Sequence, residues 1–405
     1  MRFSGLLAGV ALVALVASAQ AGGNGPGVTA TEIKLGNTMP YSGPASGYGT
    51  QGRTEDAYYA MINAKGGVNG RKINFISLDD SYNPPKTVEQ ARRLVEQDEV
   101  LALMGPLGTP TNSAIQKYMN AKKVPQLFIS SGAAKWNDPK NFPWTTSLLP
   151  PYTAEASIYG ADILKNAPNA KIGVLYQNDD FGKDFVRGLK QGLGERADGM
   201  IVKEMTYEVT DPTVDSQIIA LKAAGADVIV DITTPKFGAQ VIKKVADLGW
   251  KPRHYVVSVA SSIKSVLEPA GLDNAVGLFT AIAVKTPTDP RWKDSKDVQD
   301  FIAFLRDYYP KGDPGDMSNV SGYISGFMTV KLLEKCGDDL SRDNLLKQAT
   351  SFSNVAAPLL LPGLTLSNSP TDYNLFHQLQ VARFDGKTWE PVGPMIDVGV
   401  GAPSQ

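Results

Sequence analysis

From Ile33 onward the chain repeats one unit: a short apolar run, a polar turn, then a stretch with apolar residues at helical spacing. The runs Ile33–Met39, Ile73–Asp79, Val100–Met104 and Pro125–Ile129 read as strands, with helices between them. Strands that alternate with helices cannot pair as hairpins. They form parallel sheets covered by helices on both faces. Near Phe142 to Tyr152 the rhythm stops, because Pro143, Pro150 and Pro151 interrupt regular structure. It then restarts with Ile172–Tyr176, Met200–Met205, Val228–Ile232 and Tyr255–Val259. Two such series imply an α/β fold of two lobes, each a doubly wound parallel sheet. Both halves open alike, with strand, polar loop, aromatic-Gly pair and helix: Tyr48-Gly49 in one, Phe181-Gly182 in the other.

The later segments complete the pattern. A strand from Gly277 leads into a helix around Phe301, Ile302 and Leu305, then a long helix over about Ser318 to Lys335 and one capped by Ser341. Gln378 to Phe384 alternates like a strand and turns at Asp385-Gly386, a hairpin signal. Function concentrates in Gly105 to Ala134, where two successive strands break into hydroxyl-rich turns, Gly105–Thr111 and Ser130–Ala134. In an open parallel sheet such loops share one edge, and ligands bind outside it. Their small residues let backbone N–H groups approach a ligand, and their hydroxyls add donors, which together suit a carboxylate. Aromatic residues in such loops, here Tyr48, Trp136 and Phe181, either enclose an apolar ligand or pack beneath the loop.

Composition excludes several other classes. A formal net charge of -1 over 405 residues, with no basic run, leaves no nucleic-acid footprint. Arg2, the apolar Leu6–Val16 and the small Ala19-Gln20-Ala21 form a secretory signal peptide, expected to be cut after Ala21. That apolar run is too short to span a bilayer. Export and a periplasmic location are expected. Cys336 is the single cysteine, so no internal disulfide can form, and it reads as a packing residue on a helix. His254 and His377 are the only histidines, and Gly322-Tyr-Ile-Ser-Gly326 has the wrong spacing for a nucleophile elbow. Tyr118–Lys122 matches a dehydrogenase pair, but no glycine-rich dinucleotide turn accompanies it. The pairs Asp79-Asp80 and Asp179-Asp180 read as solvated strand ends. The expectation is a binding protein with no catalytic residues, metal or cofactor. An exported α/β hydrolase is the rival from another class.

Ile33-Lys-Leu-Gly with Pro40-Tyr-Ser-Gly-Pro44, Ile62–Gly70, Leu78-Asp-Asp80 and Ile129-Ser-Ser-Gly-Ala133 together resemble the exported solute-binding proteins of ABC importers. The resemblance is to the branch serving branched-chain and other hydrophobic amino acids, the leucine/isoleucine/valine-binding, type I proteins. It covers essentially the whole mature chain. It implies a monomeric clamshell whose lobes are joined by three crossing strands, here near Leu148, Thr280 and His377. Lobe 1 would hold residues 28–148 and 281–376, lobe 2 residues 149–280 and 377–395, with 396–405 a tail. The resemblance also implies a small-molecule ligand and a membrane permease as partners. A ligand carboxylate would sit on Thr109 or Thr111, Gly132, Ala133 and Ala134, beneath Tyr48 and beside Trp136. Phe181, Thr233 or Thr234, and Ser258 would face it from lobe 2. Two departures stand out: Ala134 replaces a frequent threonine, and Ser258-Val259 replaces the acid that pairs a ligand ammonium. The ligand is therefore expected to be a hydrophobic amino acid or a small carboxylate, with benzoate- or cinnamate-like acids or a sensing role as alternatives.

Overall fold

The computed structural model describes residues 24–398. The expected signal peptide, 1–21, and residues 399–405 of the expected tail lie outside the described residues. Strands β1 (Glu32–Met39), β2 (Lys72–Asp79), β3 (Ala102–Met104), β4 (Gln126–Ile129) and β5 (Thr145–Ser147) form a parallel sheet in the order β2-β1-β3-β4-β5. Strand β5 lies inside the proline-marked break, where no strand was expected; its short Thr-Thr-Ser run is fully buried against β4.

The second sheet repeats that order. Its strands β6 (Ile172–Gln177), β7 (Ile201–Tyr207), β8 (Val228–Ile232), β9 (Arg253–Val256) and β10 (Phe279–Ile282) run β7-β6-β8-β9-β10, all parallel. Antiparallel β11 (Gln378–Phe384) and β12 (Trp389–Pro391) extend it through the expected hairpin, whose turn is tied by Asp385. The tail begins as a strand: β13 (Ile396–Asp397) pairs with β11.

Helices α1 (Gly49–Ala64), α2 (Pro84–Glu96) and α3 (Thr109–Ala121) link the first strands, and α4 (Tyr152–Asn166) and α5 (Asp180–Leu193) flank β6. The segment after β10 returns to the first sheet because its helices Lys296–Tyr308 and Met317–Cys336 pack on α1. Tyr58 lies 5.1 Å from Tyr323 and 5.9 Å from Phe304, an aromatic cluster that fixes this return. The chain passes between the sheets after Ser147, after Ile282 and just before Gln378. The second passage falls two residues beyond the expected boundary, because Ala281 and Ile282 still pair with β11. Cys336 is buried at the end of its helix, and burial pushes its thiol up to about 12, so it is an inert packing group at neutral pH.

Of the acidic pairs only Asp180 is a solvated group of the kind the sequence suggests, exposed and paired with Lys135. Asp80 is fully buried, accepting from Tyr82 N–H and Thr87 Oγ1, and burial pushes it up to about 6. Asp79 is held by Lys86 and Ser42. Asp179 caps α5 through Gly182 N–H and is likewise pushed up to about 6 by burial.

Candidate functional site

In a doubly wound sheet the crevice lies where the strand order reverses, between the first and third strands of the βαβ series. Here that means the loops after β1 and β3 in one sheet and after β6 and β8 in the other. Tyr48, Leu107, Gly108, Phe181 and Thr234 sit on those four loops, and all line one cavity of about 160 Å³ between the sheets. The repeated topology thus brings two switch points face to face.

Local backbone chemistry builds the first wall. Gly108 has φ 101°, and a Cβ there would stand 2.6 Å from both Thr111 Oγ1 and the Tyr82 ring. Only glycine lets the chain turn this tightly into α3 and deliver Thr109 to the cavity. The Thr109 hydroxyl lies 2.7 Å from Ser131 Oγ, which also accepts from Trp136 Nε1 at 2.9 Å and Ala133 N at 3.3 Å. Opposite stand Tyr152 and Phe181, with ring centroids 5.2 Å apart in an edge-to-face pair. Tyr48, Tyr82 and Tyr152 face one another closely enough that burial and mutual repulsion raise the Tyr48 phenol well above its usual range, keeping it neutral.

The lining contains no Asp, Glu, Lys, Arg or His. Two acids lie one hydrogen bond behind it. Glu155 accepts from Ser258 N (2.7 Å), Ser258 Oγ (2.6 Å) and Tyr159 Oη (2.6 Å), while burial raises its pKa. Glu55 accepts from Gln51 Nε2, whose Oε1 in turn accepts from Ser130 Oγ; burial pushes Glu55 up to about 8, so it is mostly neutral at pH 7. Glu155 cannot meet a ligand ammonium without giving up buried partners, and Glu55 lies behind Gln51 and is mostly protonated.

Positive potential comes instead from the backbone. Tyr48 caps α1, Thr109 opens α3, Tyr152 opens α4 and Phe181 lies in the first turn of α5. Thr234 caps the helix Pro235–Asp247, and Met317 opens Met317–Cys336. All six line the cavity. Helix N-termini carry N–H groups and a partial positive charge that favour an anion. Asp179 already caps α5 and Asp316 caps Met317–Cys336, so the ends without a carboxylate cap, those of α1, α3, α4 and Pro235–Asp247, carry this effect. Thr234 Oγ1 is almost fully buried in the lining and has no hydrogen-bond partner among the described residues.

The structure therefore gathers Tyr48, Thr109, Phe181, Thr234 and Ser258 at the cavity. The other residues singled out from the sequence lie outside its lining. Thr111 spends its hydroxyl on Leu107 O, and Thr233 gives its own to Asp231. Ala134 N–H donates to Asp184 Oδ2 at 2.7 Å, a carboxylate from the opposite half taking the place expected for a ligand. Gly132 and Ala133 form the back of the turn, where Gly132 O accepts from Tyr152 N. Trp136 is buried beneath the loop, the packing alternative. Sequence reasoning missed Gln51, Tyr82, Ser130 and Tyr152. Tyr152 had a signal, since it opens a helix directly after Pro150-Pro151; Tyr82 follows the acidic pair and reaches the cavity only because Ser81 and Tyr82 adopt left-handed backbone angles of 54° and 57°.

The two halves touch across the cavity rim. Tyr48 Oη donates to Val259 O at 3.1 Å, and Lys135 pairs with Asp180 at 3.2 Å. Tyr48→Ala should lower ligand affinity about tenfold or more, by removing both an aromatic wall and this bond. Tyr48 belongs to a small cluster at the rim, so the ligand-free melting temperature should move by only a few degrees, about 1 kcal/mol. Titration calorimetry and thermal melting check this; unchanged affinity would remove Tyr48 from the site. Neither His254, beside Asp231, nor His377, bonded to Ser367 O and next to Phe376, is part of the cavity lining, and Gly322–Gly326 lies within a helix rather than at a strand-to-helix turn.

Comparison with known proteins gives a consistent neighbourhood. A family model described as periplasmic binding protein matches residues 32–388. The chain is 23% identical over 403 residues to Leu/Ile/Val-binding protein homolog 7 of Brucella suis, covering 96% of each chain. Among solved structures it is similar to a fatty acid ABC transporter substrate-binding protein from Thermomonospora curvata, with TM-score 0.77 and 23% identity over 93% of this chain and 95% of that one. It is also similar to an ABC transporter solute-binding protein from R. palustris in complex with benzoate, with TM-score 0.75, 20% identity and coverage of 90% and 98%.

Proposed function

The chain belongs to the periplasmic binding proteins, whose family model spans residues 32–388, and from that premise we propose that it is the exported, monomeric capture component of an ABC importer for small hydrophobic carboxylates lacking an ammonium group. In this reading residues 28–148 and 283–376 form one lobe, and 149–282 with 377–398 form the other. The signal peptide is removed after Ala21, and the closed, loaded protein docks on a membrane permease in the periplasm. A ligand holds the closed state only by its extra affinity for that state.

The observation that carries this reading is the uncharged, largely apolar cavity ringed by six helix N-termini. Thr109 and the Thr234 hydroxyl supply donors to a carboxylate, and each helix terminus without a carboxylate cap adds about 0.3–1 kcal/mol. An ammonium would have no carboxylate to pair with, a costly arrangement in a dry cavity. The relatives named for fatty acid and benzoate lend support on the side of acids without an amino group.

The test compares leucine with isocaproate, which has leucine's skeleton and no amino group, in a thermal-shift panel that also holds benzoate and cinnamate. Isocaproate should raise the melting temperature at concentrations where leucine does not, because only a ligand that binds the native state stabilises it. Equal or stronger stabilisation by leucine would overturn the choice of ligand class.

A further inference from the structure

The cavity does not end at the hydroxyl-bearing loops. Its lining continues to all three passages between the sheets: Leu148 at the first, Ile282 and Val284 at the second, Phe376 and Leu379 at the third. Every one of these side chains is apolar. Taking the proposed carboxylate reading as its basis, we infer that the passages between the lobes form an apolar tail subsite for an acyl chain of about six carbons or for one aromatic ring.

Volume sets the size. A dry cavity of about 150 Å³ lined by aliphatic and aromatic side chains holds benzene. The cavity here is about 160 Å³. Filled at the packing density of protein interiors, about 0.74, it takes a ligand of roughly hexanoate or benzoate size, head and tail together. Polarity sets the orientation. Thr109 and Thr234 lie at the switch points of the two sheets, whereas Leu148, Ile282, Val284, Phe376 and Leu379 at the passages carry hydrocarbon side chains, with Thr286 and the serines of Met317–Cys336 elsewhere in the lining. The carboxylate therefore stays with the hydroxyls and helix termini, and the tail lies against Ile282, Phe376 and Leu379.

This placement has a consequence for closure. The passages are the segments whose backbone must bend when the lobes separate, so a tail seated there contacts the hinge itself. Ligand length and lobe closure become coupled: an acid too long for the subsite wedges the passages apart. Ile282 and Val284 are half-buried while the flanking Ala281 and Ala283 are buried, so Ile282 can be changed with little disturbance of the core.

The experiment measures calorimetric affinities of propanoate, butanoate, pentanoate, hexanoate, octanoate and benzoate for the wild-type protein, Ile282→Trp and Ile282→Ala. In the wild type, affinity should rise about fourfold per added methylene up to hexanoate and then stop rising. Ile282→Trp fills the subsite, so the rise should end at a shorter acid. Ile282→Ala enlarges it, so octanoate should overtake hexanoate. Binding of hexanoate or benzoate with no change in length dependence in either variant would overturn the subsite while leaving the carboxylate reading intact. Failure of every acid to bind the wild type would overturn the reading and the subsite with it.

Discussion

Gly132→Ala is expected to cut ligand affinity by at least about a hundredfold and to lower the melting temperature by several degrees. The reason is not a contact between Gly132 and the ligand, since Gly132 is absent from the cavity lining. A Cβ at this position would stand 2.0 Å from Pro150 O and 2.8 Å from the Tyr152 ring. Both obstacles belong to the first passage between the sheets, and one of them is backbone, which cannot swing aside as a flexible side chain would. The chain must shift there, taking Tyr152 out of register with Thr109 and Phe181 and opening the passage. Scattering in solution should report a larger radius for the variant than for the ligand-bound wild type. A variant that binds hexanoate or benzoate as the wild type does would place Tyr152 and the first passage outside the functional site.

Glu55 should make stability fall as pH rises. Its folded-state pKa is raised by burial to about 8 from the ordinary 4.5. A carboxyl raised in this way favours the folded protein through its protonated form. That contribution is fully present below the unfolded-state pKa, declines as pH climbs, and is lost once pH passes the folded value. The largest possible effect is on the order of 4 kcal/mol between mild acid and about pH 9. Asp80 and Asp179 are raised in the same sense, but only to about 6, so their share of the slope lies at lower pH. Glu55→Gln keeps a neutral group of similar shape beside Gln51 and should reduce the slope by one proton's worth between about pH 4.5 and about pH 8, leaving the shares of Asp80 and Asp179 in place. Denaturant unfolding of both proteins across this range measures the difference; an undiminished slope above about pH 6.5 in the variant would rule out Glu55 as its source.

The same group bears on the proposed preference for ligands without an ammonium. A neutral Glu55 behind Gln51 and a triply bonded Glu155 behind Ser258 leave the cavity without an available negative charge. The sequence shows Ser258-Val259 where an acid might stand, but it does not show that two acids lie directly behind the wall. Their positions depend on α1 and α4 packing against opposite sides of the cavity, a tertiary fact.

The alternation of short apolar runs with helical periodicity determined the α/β class, the two-series organisation and most element positions, because those depend on which face of each segment must be buried. It also pointed to the loops bearing Tyr48, Thr109 and Phe181, since strand order decides which loops share an edge, whereas Thr234 and Ser258 came only from the resemblance to known solute-binding proteins. What it left open was how each loop spends its own donors. Ala134 N–H goes to Asp184 and the Thr111 hydroxyl to Leu107 O, choices fixed by distances of 2.7 and 2.6 Å to groups far along the chain or hidden in the backbone. The proposed tail subsite was equally beyond reach, because its walls would come from three passages at least 94 residues of chain apart, at 148, 282 and 376, and only the packed protein brings their apolar side chains together.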